Sequence, residues 1–373
     1  MKSKSLPLIA AALLCTLSAM GQNTFSSVFN TFRAEVRADF DHFNVYESPL
    51  GGNGYEGGMG GFTGRYFNLK IGGNLTDQFS YYICQSLIAN PGSHRFFDNT
   101  DFLYINYKAN DNWSFKAGKD ALAVGGYEYD ASPIDVFFNT TYWNNFYCFQ
   151  LGGSVTYKSD DGKHALTAQM TNSPYVHLGA SDLGHASGSE WKSGLFAYSL
   201  LWKGQTDHFQ TLYSVSMFQR PDRGFLNYIA LGNKLEYEKW DIYVDIMHHA
   251  LTGNDWGNNF GIVSRANFKV NEGLSIFVKG AYEQNLSYFD IPNYGLDGLY
   301  DCLIEAGSRH SVYGFGMEYR PSICKDVRVH AYVAHRIQQN TLASPVEPQT
   351  ISTINANVGI TWNMDFRDMF SKR

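Results

Sequence analysis

After residue 30, the chain is organised as about sixteen segments in which polar and apolar side chains alternate. Residues 33–40 show the pattern, with charged side chains at the odd positions from Arg33 to Asp39 and apolar side chains at the even positions. A period of two is that of a β-strand with one wet face and one apolar face. In a soluble sandwich the apolar face meets a second sheet, whereas in a membrane barrel it meets lipid.

The first residues favour the membrane interpretation. Lys2 and Lys4 precede an apolar stretch over residues 6–17, and small residues follow up to Gly21, which predicts a secretory signal peptide over residues 1–21. Cys15 could indicate a lipoprotein anchor, but a leucine precedes it where a small residue would be expected. No later stretch reaches the roughly 18 apolar residues of a membrane helix. Residues 22–373 are therefore expected to enter a membrane as one closed barrel.

The strands and their links follow a regular order along the chain. We predict strands near residues 30–41, 62–73, 78–87, 100–109, 113–120, 145–158, 163–171, 191–203, 207–219, 224–237, 240–249, 259–269, 274–286, 309–320, 325–337 and 353–366. Short turns alternate with long links, which we expect near residues 42–61, 88–99, 121–144, 172–190, 250–258, 287–308 and 338–352; the link near 220–223 is the short exception. This asymmetry predicts an all-β fold, a transmembrane antiparallel β-barrel of 16 strands with short periplasmic turns and long extracellular loops.

Composition agrees with a barrel and argues against other classes. The chain has 25 Tyr, 27 Phe and 36 Gly but 10 Pro, a bias suited to strands with aromatic girdles. Removing the two lysines of the signal peptide takes the formal net charge from −6 to −8, which argues against nucleic acid as a partner. Cys84, Cys148, Cys302 and Cys324 lack the spacing of a zinc site, so we expect no metal, no cofactor and no structural disulfide.

Alternation also assigns side chains to the two faces of the wall. Arg33 and Arg37 fall on the lumen face of the first strand together with Glu35 and Asp39. An Arg or Lys on the lipid face costs about 2–4 kcal/mol near the midplane, so charged residues belong inside. Sixteen strands enclose an aqueous channel, which predicts diffusion of small polar or charged solutes across the outer membrane. For each charge the alternative is a salt bridge that only braces the wall.

The link over residues 121–144 is the longest and carries the Gly125-Gly126 pair before several acidic residues. Loops of this length in a compact domain are usually functional. We expect this segment to fold into the barrel and narrow it, because the glycines allow the backbone to bend and its carboxylates would face Lys116 or Arg37 on the wall. The alternative is an exposed loop that packs on its own aromatic residues.

A family resemblance rests on three nearby motifs. The sequence Ala117-Gly118-Lys119, the run from Gly125 to Asp130 and the pair Pro133-x-Asp135 resemble the phosphate-selective porin O and P family, particularly its relatives in Bacteroidota. The resemblance implies a sixteen-stranded outer-membrane porin, often a homotrimer, surrounded by outer-membrane lipid and with the third outer loop at the constriction. Phosphate or other anions could be its solutes, although the lumen mixes both charge signs. The candidate pore-lining residues are Arg33, Arg37, Lys70, Lys116, Lys119, Glu128, Asp130, Asp135, Arg265, Lys279 and Arg328.

Two other classes of function remain as alternatives. The chain has no GxSxG, HExxH or phosphate-binding loop motif, and the neighbouring His248 and His249 would point to opposite faces of a strand, so no catalytic residue is expected. An outer-membrane hydrolase would need a Ser, a His and an orienting group together on the wall. A closed receptor or adhesin would bind ligands through outer loops such as 287–308. Conductance in a planar bilayer separates an open channel from both.

Overall fold

The protein is a closed antiparallel β-barrel. A computed structural model describes residues 29–48, 54–88, 99–146, 148–174, 194–219, 224–251, 257–286, 304, 307–341 and 349–367. The predicted signal peptide and Cys302 lie outside these residues, as do most residues of several long links. All sixteen predicted strands are confirmed, and the barrel closes where the last strand pairs with the first.

The strands run antiparallel in sequence order around the wall. Their bounds are β1 (Thr31–Ser48), β2 (Gly54–Asn74), β3 (Phe79–Ser86), β4 (Thr100–Lys108), β5 (Trp113–Ala121), β6 (Phe149–Lys158), β7 (His164–Asn172), β8 (Phe196–Gln205), β9 (Phe209–Gln219), β10 (Phe225–Tyr237), β11 (Trp240–Leu251), β12 (Asn259–Lys269), β13 (Leu274–Asn285), β14 (Ser308–Tyr319), β15 (Val327–Asn340) and β16 (Gln349–Asp365). Arg33 pairs with Asp365, so β1 begins and β16 ends at the same end of the barrel as the short turns.

The first two strands are longer than the sequence indicated. A long link was predicted over residues 42–61, and this was wrong: β1 continues to Ser48 and β2 begins at Gly54. The glycine-rich stretch after Gly54 has the composition of a loop, yet it pairs with the alternating end of β1. The pairing of β1 with β2 contains two register shifts, one of them between Val45 and Tyr46. Gly57, the register partner of Val45, has a φ of 115°, so the backbone of β2 is irregular at this shift.

The two faces of the wall differ as the alternation predicts. The outer face carries exposed apolar side chains on every side of the barrel, among them Phe62, Ile105, Phe315 and Val358. At the turn end, aromatic rings pack against each other across strands, as Trp113 and Tyr157 do with centroids 5.0 Å apart. Buried polar and charged side chains fill the opposite face. The sequence pattern thus places apolar groups toward lipid and charges toward the lumen.

Three short helical elements lie in the link between β5 and β6. They are α1 (Tyr127–Asp130), a 3₁₀ turn (Pro133–Asp135) and α2 (Thr141–Asn145). In the described residues no helix is long and apolar enough to cross a membrane. Three buried clusters of apolar side chains include residues of this link together with the inner faces of β8 to β15.

A glycine marks the seam where the barrel closes. Gly359 on β16 stands in register between Asp39 on β1 and His330 on β15. The imidazole Nε2 of His330 lies 3.1 Å from the carboxylate of Asp39, and a Cβ at Gly359 would overlap both groups. The absence of a side chain therefore lets a hydrogen bond pass directly across β16.

We predict that Ile105→Arg lowers the free energy of unfolding of the barrel in lipid vesicles by about 2–4 kcal/mol, because Ile105 lies in the middle of β4 and its exposed side faces lipid. Denaturant unfolding measured by tryptophan fluorescence gives this value. Asn106→Arg is the matched control, since it puts the same charge at the next position on the lumen face, and it should cost far less. Equal losses in the two variants would contradict the assigned faces.

Candidate functional site: a segment across the lumen

Residues 122–146, called the lumen segment below, run inside the barrel after β5. Near its start, the amide of Ala123 donates to Gln169 on β7 at 2.7 Å, and the amide of Gly125 donates to Ser214 on β9 at the same distance. Further along, the segment contacts the inner faces of β10 to β15 and of β1. It therefore crosses the lumen and rests on the far wall.

Glycines allow the segment to approach the wall closely. A Cβ at Gly125 would overlap the carbonyl oxygen of Leu212, and the backbone at Gly126 has a φ of 103°, which L-residues rarely adopt. Gly232 on β10 stands opposite, where a Cβ would lie 3.0 Å from the Cα of Gly126. The glycine pair that the sequence analysis singled out thus sits where two backbones meet without side chains between them.

Two buried carboxylates on the wall hold the amide groups of the segment. Asp245 on β11 accepts hydrogen bonds from the first two amides of α1, both at 2.8 Å. Glu283 on β13 accepts from the first two amides of α2, also at 2.8 Å each. Both residues are 1% exposed. An ionised acceptor strengthens a hydrogen bond, and it satisfies amides at helix ends that have no partner within the helix.

Basic side chains hold the carbonyl groups of the same segment. The six consecutive carbonyls from Ile134 to Asn139 each accept from a basic residue of the wall. We call the five donor residues the carbonyl clamp. Arg328 donates to the carbonyl of Ile134 at 2.8 Å, Arg265 to that of Asp135 at 3.1 Å and Arg37 to that of Val136 at 2.8 Å. Lys279 donates to the carbonyls of Phe137 at 3.0 Å and Phe138 at 3.3 Å, and Arg336 donates to that of Asn139. Wall charges and segment backbone thus satisfy each other.

The ring of Phe137 lies at the centre of the clamp. The guanidinium carbons of Arg37, Arg265 and Arg328 are 4.8, 5.4 and 5.8 Å from its centroid. The ring is fully buried and stacks on Phe277 with centroids 5.3 Å apart. Cations near an aromatic face are attracted by its quadrupole, so the phenyl ring helps to hold three like charges close together.

The acidic residues predicted on this segment do contact basic residues of the wall. Glu128 lies 2.5 Å from the ammonium group of Lys279, and this pair is buried. Asp135 lies 2.5 Å from the guanidinium of Arg328. Asp130 pairs with Lys203 on β8 at 3.3 Å, and both side chains are about half exposed. Glu128 therefore joins the buried anchorage, Asp135 joins it from a half-exposed position at 46% exposure, and Asp130 faces open space.

The partners expected for these carboxylates were wrong. Lys116 pairs with Asp120 at 2.7 Å on its own strand, and its ammonium group lies 4.3 Å from the centroid of Tyr104. Arg37 pairs with Asp39 at 2.8 Å and contacts the segment through a carbonyl oxygen instead. Sequence alternation gives the face of a side chain but not its partner across the barrel, which depends on the path of the segment.

The remaining candidate residues stand apart from the clamp. Lys70 and Arg33 both pair with Glu35, at 2.6 and 3.2 Å, and the Arg33 side chain is 44% exposed. Lys119 is 5% exposed, so its ammonium group does not face open space. The eleven predicted residues therefore fall into an anchoring group, a group along the open side of the lumen, and one buried lysine.

Three adjoining cavities remain beside the segment. The outer cavity, toward the long links, has a volume of 330 Å³ and shares Tyr66 and Trp143 with the next one. That middle space, called the aromatic cavity, has a volume of 720 Å³ and lies between the segment and the wall from β2 to β8. It shares Asp130 and Ala131 with an inner cavity of 670 Å³ near the short turns. Together the cavities follow the segment from one end of the lumen to the other. The outer one lies beside β1, β2 and β14 to β16, the middle one beside β2 to β8 and the inner one beside β10 to β15.

Aromatic rings of the middle cavity were missed in the sequence analysis. Tyr82, Phe102 and Tyr104 line it from the wall, and Trp143 lines it from the segment. The aromatic content had been assigned to girdles at the lipid boundary. The alternation around Tyr104 could have identified these rings, because Leu103, next to it on β4, is exposed on the lipid face.

Metal and disulfide chemistry find no support in the described part of the chain. It contains no group of three or more His, Cys, Asp or Glu side chains that could hold a metal ion. Cys84, Cys148 and Cys324 are free thiols. Cys302 lies outside the described residues, so its pairing stays a prediction.

Solved structures of outer-membrane channels share this fold. The outer-membrane channel DcaP of Acinetobacter baumannii is similar with a TM-score of 0.58 at 10% identity, over 89% of this chain and 96% of that one. An anion-selective porin from Comamonas acidovorans has a TM-score of 0.56 at 11% identity, over 89% and 98%. The trimer form of OmpT of Vibrio cholerae has a TM-score of 0.52 at 10% identity, over 90% and 100%. At such identities the similarity shows the fold alone.

A family assignment comes from the sequence itself. No curated protein matches the chain. The family described as phosphate-selective porin O and P matches residues 31–239, a stretch from β1 to the turn after β10 that is more than half of the chain. The chain belongs to the phosphate-selective porin O and P family.

Proposed function

We propose that this outer-membrane porin lets small polar and charged solutes diffuse through an off-centre passage, with the lumen segment as its constriction. The observation that carries the proposal is the position of the segment, which is held against β1 and β11 to β15 and leaves a cavity along β2 to β8 that adjoins a further cavity toward each end of the lumen. We place the short turns in the periplasm and the long links outside. Family and fold point to a channel rather than an enzyme, and the cavities favour a channel over a closed receptor.

We propose weak ion selectivity, with anions such as phosphate among several kinds of solute. The basic residues of the carbonyl clamp are engaged by backbone and carboxylate oxygens, which reduces the field they present to ions. The described lining of the aromatic cavity carries three lysines and three aspartates. Support for anion passage comes from the family description and from Arg33 and Arg65, whose side chains stay 44% and 38% exposed.

We also propose a homotrimer in the membrane, as the resemblance to trimeric porins implies. A solved structure with this fold exists in a trimer form, which supports the proposal. Light scattering in mild detergent should give the mass of three chains, because a trimer of barrels buries part of each apolar outer face. A mass of one chain under conditions that preserve the folded barrel would contradict the trimer.

Deleting Tyr127 to Phe138 should raise the single-channel conductance severalfold, since it removes the part of the segment that fills the lumen. Planar bilayer recordings of the purified protein measure this. A deletion of equal length over residues 177–188, in the link between β7 and β8, is the control and should leave conductance near that of the parent. A deletion variant that inserts normally yet conducts like the parent would place the constriction elsewhere.

Adding a bulky side chain to the lumen segment tests the same passage from the opposite direction. It leaves the hydrogen bonds between the segment and the wall in place. Ala131 lines both the aromatic and the inner cavity, so Ala131→Trp should fill the junction and lower conductance by at least half. Ser159→Trp, at a short turn outside the lumen, is the matched control. Unchanged conductance in Ala131→Trp, with correct folding, would mean that ions take another route.

Ion selectivity should shift with single charges of the passage. We expect a small reversal potential for the parent in a tenfold salt gradient, far below the roughly 59 mV of a perfectly selective monovalent channel. Asp120→Asn frees the charge of Lys116 and should move the potential toward anions, whereas Lys116→Met should move it toward cations. Asp111→Asn, whose carboxylate pairs with Lys108 at an exposed turn, should change nothing. Strong anion selectivity in the parent, with chloride current blocked by added phosphate, would instead identify a dedicated phosphate channel.

A further inference from the structure

We infer that the aromatic cavity binds neutral saccharides during passage, an inference that rests on the diffusion function proposed above. The cavity combines flat aromatic faces with paired charges of both signs, and this combination matches one class of solute. A sugar ring presents apolar C–H faces and a rim of hydroxyl groups. Its faces can lie on aromatic rings while its hydroxyls donate to carboxylates and accept from ammonium groups.

The rings on the wall form a cluster in which the planes of Tyr82 and Tyr104 are 36° apart and Phe102 stands edge-on to both. The centroid of Tyr82 lies 5.7 Å from that of Phe102 and 5.7 Å from that of Tyr104, and the last two are 6.3 Å apart. Tyr82 and Tyr104 are direct partners in the register of β3 and β4. All three are partly exposed and belong to none of the buried apolar clusters of the described chain. They therefore face the cavity rather than a packed core.

The lumen segment supplies rings on the opposite side. Trp143 stands where the cavity joins the outer one, whereas Tyr129 and Phe146, which also line it, pack into a buried apolar cluster with centroids 5.3 Å apart. A solute that enters from the long-link end thus passes Trp143 before it reaches the wall rings. The volume of 720 Å³ falls within the range of about 300–1,000 Å³ that is usual for small-molecule sites.

The charges of the cavity favour a neutral solute over an ion. Lys116 is paired with Asp120 at 2.7 Å, and Lys203 with Asp130 at 3.3 Å. Because each cation has an anion beside it, a charged solute gains attraction from one partner and repulsion from the other. A hydroxyl group can donate to the carboxylate and accept from the lysine of the same pair, so both signs serve it.

Two glycines lie next to the wall ring of Tyr104 in one row of the register. Gly118 on β5 and Gly152 on β6 continue the register from Tyr104. No side chain therefore rises between the ring of Tyr104 and Thr171, the next residue in that row. The glycines let the neighbouring strands approach closely beside Tyr104, because a Cβ at Gly118 would overlap the carbonyl oxygen of Leu103 and one at Gly152 would overlap that of Met170.

The test measures block of ion current by sugars in planar bilayers with the full chain. Maltotriose and cellotriose are the probes, and benzoate at equal concentration is the comparison solute. We expect at least one trisaccharide to reduce the current reversibly with a stronger effect than benzoate. In Tyr82→Leu/Tyr104→Leu the concentration for half block should rise about tenfold, because leucine keeps the bulk but loses the flat face.

Two controls separate stacking from disturbed folding. Tyr82→Phe/Tyr104→Phe keeps both rings, so the sugar concentration for half block of its current should stay within about twofold of the parent value. A loss of block through disturbed folding would not predict this result. Tyr107→Leu removes a ring that stacks on the lipid-exposed Phe79 in the same pair of strands, and it should leave the block unchanged.

The outcomes distinguish this inference from the porin function. Open-channel currents without block by either trisaccharide would overturn saccharide binding and leave the porin function intact. Equal block in the parent and in the double leucine variant would also overturn it, since the rings would then play no part. Stronger block by benzoate would show that the cavity selects aromatic anions instead. Absence of any open-channel current would overturn the porin function itself.

Discussion

The structure depends on how charged wall residues satisfy the backbone of a segment inside the barrel. A chain that crosses a lumen loses partners for its amides and carbonyls, and buried charges on the wall lack counter-charges. Here the charged side chains of the wall pair with the backbone of the segment. Asp245 and Glu283 accept hydrogen bonds from its amides, and the carbonyl clamp donates to six of its consecutive carbonyls. Charge-assisted hydrogen bonds are stronger than neutral ones, so the path of the segment is firmly fixed.

This arrangement divides the wall into two parts with different roles. Strands β1 and β11 to β15 carry the anchoring charges, and their side chains are mostly buried by the segment. Strands β2 to β8 keep their side chains turned toward open space, where lysines are paired with nearby aspartates and aromatic rings lie partly exposed. A count of luminal arginines therefore overstates the attraction of the lumen for anions. Arg37, Arg265 and Arg328 donate to oxygen atoms of the protein and lie near the ring of Phe137.

The fold was predictable from the sequence because a side-chain period of two is a direct result of strand geometry. The same alternation put Glu35, Lys279 and Arg328 inside, where the structure has them. It failed at residues 42–61, where glycines imitate a loop although backbone pairing continues. It also could not give partners across the lumen, since these depend on local backbone geometry. At Phe138 the φ angle is positive, and the carbonyls of Phe137 and Phe138 both accept from the ammonium group of Lys279.

The glycine at the seam has a consequence for assembly. Closing the barrel joins the first and last strands, the pair with the greatest separation along the chain. A shift of one residue would turn every side chain of β16 to the other face, and a shift of two would bring Asn357 or Thr361 to the place of Gly359. Either side chain would separate His330 from Asp39. The missing Cβ thus selects one closing register among those that keep the faces correct, and it affects how the barrel is completed rather than what passes through it.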